Sequence, residues 1–397
     1  MYYTFFMNEK LQYQSELFSN RLKKKYKELR KWARKNRISC YRLYDRDIPE
    51  IPVSLDLYEF LPKDCNSVIE AAKFLAEQNK KISENDISIE SEIKERTFAI
   101  LYLYERPYEK DDEEEKIWLE KMAQVAENIL GIEKSHIIKK YRKHQKGTNQ
   151  YEKNSSQENS KFLEDDFFID YNFIQEQGQI FKIDLNSYLD NGIFFDHRPL
   201  RSKIRDISSG KSVLNLFCYT GSFSVYAASG NAKSVESVDL SNTYLNWTKE
   251  NMSLNGFSDK KKYIFTRADC ISFLQEKAVI QKSIIAKKDD EKLKEKSKTY
   301  DIIILDPPTF SNSKNTHNIL DINKDWVQLV KDCLNILNPN GILYFSTNSE
   351  KLKFDVSKLP EITISGLKIY SEDVTSQSIP LDYHNKKPHH CYKFIVK

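Results

Sequence analysis

Three aspartates, Asp239, Asp269 and Asp306, each follow a short strand-like run in the C-terminal half of the chain. A carboxylate at a strand end can accept hydrogen bonds from the paired hydroxyls of a ribose or from the amino edge of a nucleobase. Ahead of them, Val213-Leu-Asn-Leu216 empties into the tight turn Phe217-Cys-Tyr-Thr-Gly-Ser222. The missing side chain at Gly221 lets backbone approach a ligand closely. Asp239 stands 18 positions after Gly221, close to the spacing at which an acid takes a ribose after such a turn. Asp306-Pro-Pro-Thr-Phe310 is of another kind. Its two prolines hold an extended path and remove two amide donors, so carbonyl oxygens face outward. An acid on one side and an aromatic on the other suit a planar nitrogenous base, whose stacking is worth roughly 1–3 kcal/mol. Each feature has a plainer use by itself: Asp239 and Asp269 could cap the helices that follow them, and a proline pair commonly makes a turn. Their recurrence at successive strand ends favours a ligand crevice.

The elements that position these residues alternate from about residue 199. Strands are expected at 212–217, 234–239, 263–267, 301–305 and 341–346, with tail strands at 366–371 and 390–396. Helices are expected near 199–207, 222–230, 242–254, 270–282 and 325–337. This is the pattern of an α/β doubly wound, mostly parallel sheet, whose strand ends form the crevice. The charged stretch 283–299 interrupts it and reads as a surface loop or extended helix. The turn lacks GxGxxG and the chain lacks GxxxxGK[ST], so a mononucleoside-type cofactor fits better than a dinucleotide, and phosphoryl transfer is disfavoured.

Upstream, residues 8–37 read as a basic helix with Leu17, Phe18, Leu22, Tyr26, Leu29 and Trp32 on one stripe. Twelve lysines and arginines between Arg21 and Arg46 face only Glu28 and Asp45. With a second basic stretch from Lys139 to Lys153, interleaved with Tyr141 and Tyr151, this suggests a polyanionic partner although the whole chain carries only +4. Short strands are expected near 41–44 and 52–56, a buried strand at 97–104, a helix from 114 to 129 and a strand near 135–141. Residues 57–95 are hard to read, and a hairpin is expected around Glu176-Gln-Gly178. The expected division is an α+β accessory, RNA-binding domain over 1–187 and a second domain over 188–397. Six cysteines without CxxC spacing fit reduced thiols, and no apolar run is long enough for a membrane span, so a cytoplasmic protein is expected. His389-His390-Cys391 is a poor metal site, because neighbours on a strand point to opposite faces; no metal is expected.

The segments Val213 to Ser222, Val238 to Trp247, Asn251-Met-Ser-Leu-Asn-Gly256 and Asp306-Pro-Pro-Thr-Phe-Ser-Asn-Ser-Lys314 together resemble the S-adenosylmethionine-dependent 23S rRNA methyltransferases. In particular they resemble the guanine-N7 enzyme that forms the C-terminal half of a bifunctional large-subunit rRNA methyltransferase. The resemblance extends to Asn191-Gly-Ile-Phe-Phe-Asp-His-Arg198, Phe18-Ser-Asn-Arg-Leu22, Lys31-Trp-Ala-Arg34 and Cys40-Tyr-Arg-Leu-Tyr-Asp45. It implies a class I, Rossmann-like methyltransferase fold, S-adenosyl-L-methionine as cofactor and 23S rRNA as partner. It further implies that Asn215, Phe217, Tyr219, Thr220, Gly221 and Ser222 hold the methionine part, Asp239 the ribose and Asp269 the adenine. Asp306, Pro307 and Phe310 would face the target base. Gly192 to Arg198, with Phe194 and Arg198, would close over the cofactor or touch RNA. Cys218 stands where the family often has alanine. The ending His389-His-Cys-Tyr392 departs from a family ending with Arg and Trp at its second and fourth places.

The chemistry itself sorts the rivals. Guanine N7 carries an in-plane lone pair and no proton, so its methylation needs placement rather than a general base. A 5-methylcytosine enzyme needs a cysteine nucleophile. The family places it after the strand that follows Pro-Pro, where this chain has Phe345-Ser-Thr-Asn-Ser349. Methylation at guanine N2 and a non-catalytic ribosome-assembly role are the remaining alternatives.

Overall fold

The alternation after residue 199 folds as one seven-stranded sheet, and the computed structural model shows why. It describes residues 2–105, 111–142, 169–187, 191–286, 298–312, 319–383 and 386–397. The chain divides into two units, Met1–Phe195 and Asp196–Lys397.

In the first unit, α1 (Tyr2–Lys35) precedes β1 (Cys40–Asp45) and β2 (Val53–Glu59). Then come α2 (Val68–Ser83), α3 (Ser88–Glu95), β3 (Thr97–Tyr104), α4 (Asp112–Leu130) and β4 (Ile137–Arg142). The strands form a sheet in the order β1-β2-β3-β4, with only β3 and β4 parallel. Phe18, Leu22, Leu29 and Ala33 of α1 and Trp118, Leu119, Met122, Ala126 and Leu130 of α4 cover it with apolar side chains spaced three and four apart. Asp111 caps α4 by accepting from Glu113 and Glu114 N–H, and Gly131 ends it at φ 66°. The stretch that was hard to read holds α2 and α3. Their few buried residues, Ala71, Gln78, Ile89 and Ile93, leave too thin an apolar stripe to announce them. Strands β5 (Phe173–Glu176) and β6 (Gln179–Lys182) make the expected hairpin. Most of the second basic stretch, from Lys143 to Lys153, lies outside the described residues.

The second unit runs α5 (Arg198–Ile207), β7 (Ser212–Leu216), α6 (Ser222–Ser229), β8 (Ser234–Asp239), α7 (Asn242–Leu254), β9 (Tyr263–Arg267), α8 (Cys270–Ala286) and β10 (Tyr300–Leu305). After these come β11 (Phe310–Asn312), β12 (Ile319–Asp321), α9 (Ile322–Asn335), β13 (Leu337–Thr347), β14 (Ile369–Asp373), α10 (Thr375–Ser378) and β15 (His390–Val396). The sheet order is β14-β15-β13-β10-β7-β8-β9. Six strands run in one direction; β15 runs antiparallel to both its neighbours, β13 and β14. Strand order reverses between β7 and β10, and a ligand crevice opens outside the carboxyl ends of the strands at such a switch point. The core packs Leu214, Leu216, Ile303, Leu305, Leu343 and Phe345 against Trp326, Leu329 and Val330 of α9 and Phe273 and Leu274 of α8. Helix α8 continues to Ala286, into the charged insertion, in line with the extended-helix alternative, and 287–297 lie outside the described residues. Other details differ from expectation. Strand β13 starts four residues early, with a register shift in its pairing to β10. Strands β11 and β12, only three residues each, form a small hairpin too short for a periodicity to reveal.

Candidate functional site

The turn after β7 is built from backbone conformations that side chains seldom adopt. Phe217 and Tyr219 have φ of 53° and 52°, and Gly221 has φ 77°. Only the glycine adopts this region without penalty; a non-glycine residue there costs ~1 kcal/mol or more. Helix α7 holds the strained segment in place from below. Thr248 Oγ1 donates to the Tyr219 carbonyl at 2.9 Å, and Asn251 Nδ2 to that of Thr220 at 2.8 Å. Tyr219 meets the Tyr244 ring edge-on at 4.7 Å. A Cβ on Gly221 would sit 2.3 Å from Thr248 Cγ2, so helix and turn touch where no side chain fits. Tyr244, Thr248 and Asn251 lie on one face of α7, three and four positions apart. In the sequence, the three- and four-residue spacing of these side chains is the signal that they support the turn.

Asp239 ends β8 level with the turn. Its Oδ2 accepts from Tyr219 N–H at 3.0 Å, and its Oδ1 from Ser241 N–H at 2.8 Å. Burial pushes its carboxyl up to about 6, although the Ser241, Tyr219 and Leu240 amides pull the other way. A carboxyl so placed lacks a sufficient partner for its charge, and a pair of donated hydroxyls would supply one. The cap for α7 is Ser241, whose hydroxyl accepts from Tyr244 N–H; Asp239 makes the turn to it.

Asp269, after β9, uses Oδ2 to accept from Ser272 N–H at 3.2 Å and Ser272 Oγ at 2.8 Å, tying down the first turn of α8. Asn215 is 1% exposed, and its amide donates to Ser224 Oγ, which bonds in turn to Ser237 Oγ. It therefore clamps α6 to β7 and β8 beneath the turn. Thr220 is buried, and Ser222 opens α6.

Asp306 and Pro307 follow β10, whose Leu305 pairs with Leu216 of β7, so the second motif starts beside the turn. Phe310 begins β11 and pairs with Asp321. Thr309 Oγ1 donates to Asn348 Oδ1 at 2.6 Å and its carbonyl accepts from Ile322 N–H, which fixes the segment from both sides. His197 reaches Asp306, its Nε2 3.3 Å from Oδ2. In the sequence His197 stands within a segment that resembles the family's, and the 109 positions between it and Asp306 hide their pairing.

Arg198 is buried, its guanidinium paired with Asp382 at 3.0 Å. Phe194 belongs to the first unit and is 39% exposed.

A model of the S-adenosylmethionine-dependent methyltransferase family matches residues 142–363, more than half of the chain. The chain belongs to that family. Its methyl donor is accordingly S-adenosylmethionine. The ribosomal RNA large subunit methyltransferase K of Neisseria meningitidis serogroup B is 35% identical over 380 residues, covering 96% of this methyltransferase and 87% of the relative. The ribosomal RNA large subunit methyltransferase K/L of Magnetococcus marinus is 34% identical over 380 residues, covering 96% of this chain but 43% of the relative. The chain thus spans less than half the length of that K/L relative. Among solved structures, the methyltransferase SMU.776 in complex with SAH superposes with a TM-score of 0.61 at 19% identity, covering 96% of this chain and 82% of that one. A SAM-dependent methyltransferase from Streptococcus mutans gives 0.60 at 18%, covering 96% and 81%. These confirm the expected Rossmann-like fold. The crevice fits the cofactor on its own evidence: beside the turn at the end of β8, burial holds the Asp239 carboxyl near 6 although backbone amides donate to it, and ribose hydroxyls would add donors there. No helix among the described residues is long and apolar enough to cross a membrane.

Proposed function

We propose that this methyltransferase transfers the methyl group of S-adenosylmethionine to N7 of a guanine in 23S rRNA. The observation that carries the reading is Asp306-Pro-Pro-Thr-Phe310 next to the cofactor turn, with an acid and an aromatic presented and the neighbouring histidine buried behind the acid. Phe217 to Ser222 would hold the methionine part of the cofactor, Asp239 the ribose hydroxyls and Asp269 the adenine. The cofactor supplies an electrophilic methyl on sulfonium. Asp306 accepts from the N1–H and amino group of a guanine extruded from its stack, and Phe310 stacks on its face. N7 would then point its lone pair outward and take the methyl that a bound cofactor would supply, the N–CH₃ bond forming as the S–CH₃ bond breaks. No proton moves. The base gains a positive charge, which the Asp306 carboxylate stabilises.

All six cysteines are buried, and burial raises the thiols of Cys218, Cys270 and Cys333 well above their ordinary value. Such thiols are poor nucleophiles, which weighs against cytosine C5 chemistry. The RNA target rests on the names of the relatives, large subunit rRNA methyltransferases, and on a groove along α1. That groove, of about 550 Å³, is lined by Lys23, Tyr26, Lys27, Arg30, Lys31 and Arg34. Five cations at helical spacing beside a tyrosine suit a phosphate backbone. Large-subunit RNA transcribed with 7-deazaguanosine tests the target atom. Loss of methyl acceptance supports N7. Undiminished acceptance refutes it and favours N2.

A further inference from the structure

A buried histidine pair stands behind the acid assigned to the target base. His389, 1% exposed, shares a hydrogen bond of 2.8 Å between Nδ1 and Asp196 Oδ2, and another of 2.8 Å between Nε2 and Ser378 Oγ. Its ring is thereby locked. The His197 ring stacks on it at 4.2 Å and 15°, and Phe223 packs edge-on against His197 at 5.7 Å. Nε2 of His197 then lies 3.3 Å from Asp306 Oδ2, while its Nδ1 is buried with no hydrogen-bond partner among the described residues. A buried N–H without an acceptor costs more than a bare ring nitrogen, so the proton resides on Nε2. Burial also pushes the His197 pKa down, against the pull of Asp306 and Asp196. Asp196 is held well below the ordinary carboxylate range: burial works against this, but His197, His389 and Arg201 outweigh it.

Asp196, His197 and His389 have ligand atoms within 4.8 Å of one another. They are badly disposed for a metal ion. Stacked rings 4.2 Å apart keep their in-plane lone pairs in two nearly parallel planes, so no single point lies in line with both, and one of those nitrogens already bonds to Asp196 at 2.8 Å.

We propose instead that His197 is a positioning residue for the target base. As a neutral Nε2–H donor it fixes one oxygen of Asp306, so that the other faces the guanine amino edge. His389, Asp196 and Ser378 fix the plane of His197, and through it the direction of that bond. A cationic partner would neutralise the carboxylate; a neutral donor orients it without cancelling its charge. The cluster brings together residues from two ends of the unit, Asp196 and His197 at its start and His389 near its end.

The inference rests on Asp306 facing the substrate base. Its test uses the full chain with a large-subunit rRNA substrate, comparing wild type, H197A, H197Q, D306N and H197A/D306N. Calorimetric S-adenosylmethionine affinity and thermal melting serve as controls for folding. H197A is expected to lose 10–100-fold in kcat/KM with cofactor affinity within twofold of wild type, as expected for a misdirected reacting group. H197Q, whose amide N–H can occupy the Nε2 position, recovers most of that loss. In the D306N background, adding H197A costs less than twofold, because the residue acts through Asp306. A full additive loss in the double variant, or H197A retaining half of wild-type kcat/KM, overturns the inference. If H197A does not fold, H197Q alone decides: activity below a tenth of wild type in a folded, cofactor-binding protein also overturns it. The methylated nucleoside formed by wild type judges the N7 reading separately, since ratios among the variants hold whichever guanine atom is methylated.

Discussion

Replacing Asp239 by asparagine separates what the carboxylate costs the cofactor-free protein from what it contributes to the bound one. Its folded pKa, about 6, lies above the ordinary 3.8. For an acid raised in this way, the associated stability is fully present below the unfolded value and is lost as pH rises through 6. Above pH 6 the ionised carboxylate therefore weighs against the empty fold. A rise of about two pK units corresponds to at most ~3 kcal/mol, reduced to ~2 kcal/mol because the group is only partly buried. Asparagine removes this cost but can accept from only one of the Tyr219 and Ser241 amides, a loss of ~1 kcal/mol. D239N should thus be about 1 kcal/mol more stable than wild type at pH 8 without ligand, melting ~2–4 °C higher. At pH 5 the advantage should vanish. S-adenosylmethionine binding should move the other way. Two hydroxyl hydrogen bonds to a charged acceptor become neutral ones, at ~1.5 kcal/mol or more each, so affinity falls roughly 100-fold. Differential scanning calorimetry at the two pH values and isothermal titration at pH 8 measure both. A D239N protein that is destabilised when empty, or that binds the cofactor within threefold of wild type, refutes the reasoning.

Other consequences follow from the same geometry. Cofactor affinity of the wild type should be flat above pH 7 and fall up to about tenfold per pH unit below about 6, because Asp239 must shed a proton to accept the hydroxyls; constant affinity down to pH 5 contradicts this. G221A forces a Cβ toward Thr248 Cγ2 in a left-handed conformation. It should cost ~2 kcal/mol or more in thermal stability and weaken cofactor binding at least tenfold, whereas a wild-type melt with unchanged affinity would show that the turn tolerates the group. Reversing Lys23, Lys27 and Lys31 to glutamate should reduce the salt slope of rRNA binding by about 2–3 while leaving cofactor affinity alone. An unchanged slope would remove the α1 groove from the RNA interface. Lys25 is a poor choice for that experiment, since it is buried.

Much of the second unit was legible because parallel strands buried on both faces read as short apolar runs between turn signals. Strands β8 and β9 and helix α7 fall where the periodicity puts them. The turn at Phe217 to Ser222 and the three acids at strand ends were legible for the same reason: topology places strand ends together, so one-dimensional order was enough. Contacts across the chain were not. The pairing of His197 with Asp306, the stack on His389 and the buried pair of Arg198 with Asp382 join residues 109 to 192 positions apart. Neither propensity nor spacing carries that information. Arg198 shows the limit best. As a cation in a resembling segment it was expected at the cofactor or RNA, yet its guanidinium is buried against Asp382. The first unit was harder for a different reason: α2 and α3 bury little, so composition dominated over periodicity.

The central claim, methylation of a guanine N7 in large-subunit RNA, is tested most directly by nucleoside mass spectrometry of 23S rRNA from cells with and without the gene, repeated after complementation. Loss of 7-methylguanosine from one site in the deletion strain, restored by wild type but not by a D306A protein, is the predicted result. A 7-methylguanosine content unchanged by the deletion would contradict it.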